Sequence, residues 1–118
     1  MTGMQILVVD DEVPVGELLG VILKSAGHAV TTVSDGQSAL TAMENANYSL
    51  VISDLTMPGI DGISLARKIK SAHPSQQIIL LTGATNSVPA SNDVDYVLNK
   101  PIDPDKLTGF IAELAQVN

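Results

Sequence analysis

The sequence predicts an α/β protein in which five βα units feed one doubly wound, five-stranded parallel sheet, a (βα)5 arrangement. Three observations carry that prediction. Five short apolar runs alternate with stretches of helical periodicity, the pattern of strand–helix crossovers rather than of hairpins. The runs Ile6–Val9, Leu50–Ser53 and Ile78–Leu81 are nearly continuous in apolar residues, as strands covered on both faces must be. A chain of 118 residues suffices for one core and is short for two, so residues 1–118 are expected to form a single unit.

Taken in order, the first strand, Ile6–Val9, leads into a helix opened by Pro14, a residue tolerated in a first turn. Val15, Leu18, Leu19 and Ile22 are expected on its inner face, and Gly27 can end it. After the second strand, Ala29–Val33, Asp35 is a candidate cap for a helix whose inner face would be Ala39, Leu40 and Met43. The third strand, Leu50–Ser53, runs into a loop, Met57-Pro58-Gly59-Ile60-Asp61-Gly62, whose Asp61 is placed to cap a third helix. Ile63, Ala66, Arg67 and Ile69 would form that helix's face, with His73-Pro74 closing it. Beyond the fourth strand, Ile78–Leu81, the stretch Ala84–Asp95 carries Pro89, two Asn and two Ser over a thin apolar face, which predicts a short or irregular fourth helix. The fifth strand, Tyr96–Asn99, is followed by Asp103 before Pro104, a strong helix start, with Leu107, Phe110, Ile111 and Leu114 at i, i+3, i+4 and i+7. The chain ends about where that helix must end, so no effector domain is expected within it. His28 and His73 fall in turns at the opposite end of the sheet and are expected to be surface residues.

Composition narrows the function. Thirteen acidic residues against six basic ones leave a net charge of −7, which repels nucleic acid and anionic membranes, so no direct nucleic-acid or membrane binding is expected. The absence of cysteine excludes disulfides, thiolate nucleophiles and iron–sulfur ligation. No apolar run approaches a membrane span, and the N-terminus lacks the regions of a signal peptide, so a soluble, cytoplasmic protein is expected.

Parallel sheets bind ligands beyond the carboxyl ends of their strands. There stand Asp10 and Asp11 after the first strand, Asp54 after the third and Lys100 after the fifth. Asp10 and Asp11 could merely cap the following helix, but a cap needs one Asp. A doubled Asp followed by Glu12 is better explained by metal binding. Carboxylates gathered together need a cation to stay ionised, and oxygen-only ligands favour Mg2+ over Zn2+. Asp54 alone could form an Asx turn; beside the acid pair it becomes a candidate nucleophile, able to carry a phosphoryl group as an acyl phosphate. Thr82-Gly83 is equally explained by an ordinary turn and by a hydroxyl on a phosphoryl oxygen that glycine lets approach. Lys100 offers a compact charge for such an oxygen, and the Lys100-Pro101 bond can be cis in a tight turn.

These residues resemble the receiver domain of two-component response regulators. The match runs through Leu7-Val8-Val9-Asp10-Asp11-Glu12, Ser53-Asp54-Leu55-Thr56-Met57-Pro58-Gly59-Ile60-Asp61-Gly62, Leu81-Thr82-Gly83-Ala84 and Asn99-Lys100-Pro101, in order and over essentially the whole chain. The resemblance implies a flavodoxin-like, CheY-like fold in which Asp54 accepts phosphate from a phosphohistidine on a sensor histidine kinase or a histidine phosphotransfer protein. It implies Mg2+ held by Asp11, Asp54 and the backbone carbonyl of Thr56, with Asp10 acting through bound water, and Thr82 and Lys100 on the phosphoryl oxygens. It also implies a switch rather than an enzyme, signalling to a downstream target or to an output domain outside this sequence.

Two features depart from the family pattern. Many receivers carry an aromatic residue three positions before the lysine; here that position is Val97, and Tyr96 stands one residue earlier, where strand alternation turns it the other way. The interval from Thr82 to Lys100 is also a few residues short, so family dimerisation through the fourth-helix face does not carry over, and rearrangement on phosphorylation is expected in Gly83–Asp95. Among other classes, a haloacid dehalogenase-type phosphatase needs a second Asp two residues after its nucleophile, where this chain has Thr56. A flavin-binding domain would need a hydroxyl-rich phosphate loop after the first strand. An interaction module that is never phosphorylated would have no use for the intact acid set.

Overall fold

The computed structural model describes residues 3–83 and 92–117. Strands β1 (Gln5–Val9), β2 (Ala29–Val33), β3 (Leu50–Asp54), β4 (Gln77–Gly83) and β5 (Tyr96–Lys100) form one parallel sheet in the order β2-β1-β3-β4-β5. Helices α1 (Val13–Ser25), α2 (Gly36–Asn45), α3 (Gly62–Ala72) and α4 (Pro104–Val117) cover its two faces. The expected fourth helix, Ala84–Asp95, falls largely on residues 84–91, outside the described residues, while residues 92–95 are not helical. The helix after β5 is numbered α4 among the described elements.

Sheet position explains the sequence pattern. The inner strands β1, β3 and β4 are buried almost throughout, whereas β2 and β5, at the edges, carry only partly buried and exposed residues. Alternation divides the core in two. Ile6, Val8, Ile52, Ile79 and Leu81 pack against Leu19 and Leu23 of α1 and Leu107, Ile111 and Leu114 of α4. Leu7, Val9, Val51 and Ile78 pack against Ala39 and Met43 of α2 and Leu65, Ala66 and Ile69 of α3.

The caps stand where local chemistry places them. Asp35 and Asp61 each accept the N–H three residues on, from Ser38 and Ser64, at 2.7 Å. Asp103 accepts the Asp105 N–H at 2.9 Å. Two helix faces differ from expectation. In α1 the buried residues are Gly16, Leu19, Gly20 and Leu23, and Leu18 is 59% exposed. The glycines let the helix backbone approach the sheet, a Cβ on Gly20 coming within 3.4 Å of the Thr32 methyl, and so rotate the helix away from the stripe of large side chains. In α3, Leu65 is buried and Arg67 exposed. His28, expected at the surface, is half-buried, and its Nδ1 accepts the Met4 N–H at 2.9 Å; burial lowers its pKa below the usual value.

Candidate functional site

Strand register assembles the charged residues. Asp10 and Asp54 follow Val9 and Ser53, which are paired across β1 and β3. Asp54 aligns with Leu81 and Leu81 with Leu98, so Lys100, two residues on, keeps the same parity. The three polar residues thus continue the apolar face of Val8, Ile52 and Leu98 past the carboxyl edge of the sheet.

They meet. The Lys100 Nζ lies 3.3 Å from Asp54 Oδ2, 3.4 Å from Asp10 Oδ2 and 3.8 Å from Glu12 Oε1. Asp10 is 1% exposed and Asp54 8%. The second oxygen of Asp10 accepts the Glu12 backbone N–H at 2.9 Å. The Lys100–Pro101 peptide is cis.

Charge is incompletely balanced at this point. Burial pushes the Asp54 carboxyl above its ordinary value; Lys100 pulls it down and the Asp10 charge pushes it up, leaving a net rise, while the Thr56 backbone N–H helps hold the carboxylate form. For Lys100, burial pulls the ammonium down, but the Asp10 and Asp54 carboxylates outweigh burial and raise it. One ammonium thus faces three carboxylates.

Oxygens of Asp10, Glu12 and Asp54 lie within 4.8 Å of one another. An all-oxygen, under-neutralised donor set of this size fits a hard divalent cation such as Mg2+. Asp11 is exposed and stands outside this group, whereas Glu12 belongs to it. In the sequence Glu12 showed only as the continuation of an acid run.

Thr82 is 2% exposed at the end of β4, paired with Asn99. Its hydroxyl donates to the Gly83 carbonyl at 3.3 Å, a long bond that a stronger acceptor would displace. Thr56 is exposed in the loop after β3. Behind that loop, Gly62 lets α3 abut the strand end: a Cβ there would overlap the Asp54 carbonyl and stand 2.6 Å from Leu80 Cδ1. The Gly62 N–H donates to the Leu55 carbonyl at 2.8 Å.

Buried acids and a lysine at the carboxyl edge of a doubly wound sheet stand where α/β proteins of this class bind their ligands. Comparison with known proteins is more specific. The family model described as the response regulator receiver domain matches residues 6–112, and the chain belongs to that family. Among curated relatives, the transcriptional regulatory protein FixJ of Bradyrhizobium diazoefficiens is 36% identical over 93% of this chain and 56% of its own length. The transcriptional regulatory protein TcrA of Mycobacterium tuberculosis is 33% identical over 98% and 47%. The chain spans about half the length of these relatives. Among solved structures, the response regulator TrrA of Thermotoga maritima, in complex with Mg(2+)-BeF, is 36% identical over 97% of this chain and 99% of its own, with a TM-score of 0.85. A CheY-like receiver domain from Methylobacillus flagellatus superposes with a TM-score of 0.88 at 25% identity over 96% and 99%. Among the described residues, no helix is long and apolar enough to cross a membrane.

Proposed function

We propose that this receiver domain is a phosphorylation-dependent switch whose phosphoacceptor is Asp54. The observation that carries the reading is the meeting of Asp54 with Lys100 at 3.3 Å beside Asp10, in a pocket of under-neutralised oxygens. A carboxylate oxygen of Asp54 attacks the phosphorus of a phosphohistidine. The P–N bond breaks with its electron pair going to the imidazole, and an acyl phosphate is left on the aspartate. Lys100 leaves its carboxylate partners for a phosphoryl oxygen, and the Thr82 hydroxyl turns from the Gly83 carbonyl to another. A bound Mg2+ would be held at the Asp10 and Asp54 oxygens, with Asp11 and the Thr56 carbonyl nearby in sequence, and would neutralise phosphoryl charge. Attack by water on the phosphorus of the acyl phosphate breaks its bond to the Asp54 oxygen, releasing inorganic phosphate and returning the free carboxylate.

The donor in this reading is a sensor histidine kinase or a histidine phosphotransfer protein, and the receiver is a cytoplasmic switch rather than an enzyme with a released product. The signal passes to a downstream target or to an output domain in the same protein. The relatives named as transcriptional regulators are about twice as long as this chain, which supports the second route. Direct contact with nucleic acid is not assigned to this acidic domain.

The test uses phosphoramidate, a small donor with the same P–N bond, with Mg2+ or with a chelator. The expected result is a hydroxylamine-labile phosphoryl adduct formed only with the cation. An adduct stable to hydroxylamine, or no adduct under either condition, would overturn the proposal.

A further inference from the structure

Glu12 is the N-cap residue of α1, yet its side chain makes no capping hydrogen bond. Glu is not among the residues whose own side chains favour the N-cap role, so this carboxylate is free to take another partner. Its carboxylate, 65% exposed, reaches toward the Lys100 ammonium at 3.8 Å. Its main-chain N–H meanwhile ties it to Asp10 Oδ1 at 2.9 Å, so its backbone is anchored to the acid beside which Lys100 lies. Lys100 is thus shared among two buried carboxylates and one near the solvent.

That sharing poses a competition. The Asp10 and Asp54 oxygens that hold the ammonium belong to the group that a divalent cation would use. If the ammonium stayed on them, each incoming cation would meet a positive charge within a few ångströms of its ligands. Glu12 is the carboxylate to which Lys100 can move outward without losing ionic contact.

We infer that Glu12 is a positioning residue that takes over the Lys100 ammonium when a divalent cation occupies the Asp10–Asp54 oxygens, so that cation entry does not strand the lysine. The inference rests on the phosphoacceptor and metal reading above, and deepens it. The residue acts through Lys100 and not on the cation itself.

A double-mutant cycle separates these roles, read as Mn2+ affinity from the EPR signal of the free ion, with Mg2+ as competitor. Glu12→Gln should weaken binding about two- to fivefold, the range an exposed ion pair commands. In a Lys100→Met background, or Lys100→Gln should the first not fold, the same substitution should lose most of that effect. An equal loss in both backgrounds would show Glu12 acting directly on the cation and overturn the inference, as would no loss with Lys100 present. Failure of the unsubstituted protein to bind either cation would instead overturn the metal reading on which it rests.

Discussion

Tyr96 and Phe110 pack edge to face, with ring centroids 5.0 Å apart and planes at 82°. This contact turns Tyr96 into the α1/α4 core, whereas Val97, 44% exposed, shares the opposite strand parity with Thr82 through the Leu80–Val97 pair. The aromatic residue is therefore on the wrong face to follow the Thr82 hydroxyl. Tyr96→Ala is expected to lower stability by roughly 1–3 kcal/mol through lost packing and ring contact. Labelling of Asp54 should persist in the folded variant. Urea unfolding and labelling by a small phosphodonor check the two halves, and loss of labelling with unchanged stability would tie Tyr96 to the switch.

Gly62 is expected to tolerate no side chain. In Gly62→Ala the new methyl meets the Asp54 carbonyl and Leu80, so α3 or the strand end must shift, at a cost of about 1–3 kcal/mol. Because the shift bears on the main chain of Asp54, labelling should slow as well. An unchanged urea midpoint would show that the helix moves freely.

Stability should fall in mild acid through His28. Its Nδ1 accepts the Met4 N–H and so must be unprotonated, and burial lowers its folded pKa below the unfolded 6.5. A depressed folded value means that the unfolded chain binds the proton more readily. This stabilisation is therefore full above pH 6.5 and is lost as pH falls through the folded value. Urea midpoints compared between the native chain and His28→Ala should diverge above pH 6.5 and converge below it. A constant difference would separate the residue from the pH response.

Asp95 joins three elements. Its carboxylate accepts the Ile78 N–H at 2.8 Å and pairs with Lys70 of α3 at 3.0 Å, and its own N–H donates to the Ile78 carbonyl at 3.0 Å. Asp95→Ala leaves a part-buried N–H without this acceptor and should cost about 1–3 kcal/mol. Lys70→Ala removes only the ion pair and should cost less than about 1 kcal/mol. Thermal melts of the two variants give the ranking, and a larger loss from Lys70 would reverse this account of the joint.

The strands, the three aspartate caps and the convergence of Asp10, Asp54 and Lys100 were legible in the sequence because each follows from local pattern or from sheet topology. The buried face of α1 was not, since Gly16 and Gly20 pack by backbone approach and leave no hydrophobic mark. Nor were the His28–Met4 and Asp95–Lys70 contacts, which join residues 24 and 25 positions apart. Glu12 was visible only as part of an acid run; that its carboxylate turns to Lys100 while Asp11 stays exposed depends on where α1 begins.

The central claim is that Asp54 alone accepts the phosphoryl group, and intact mass after incubation with acetyl phosphate and Mg2+ tests it most directly. The account predicts one added phosphoryl group on the native chain and none on Asp54→Asn. Undiminished labelling of Asp54→Asn would contradict it.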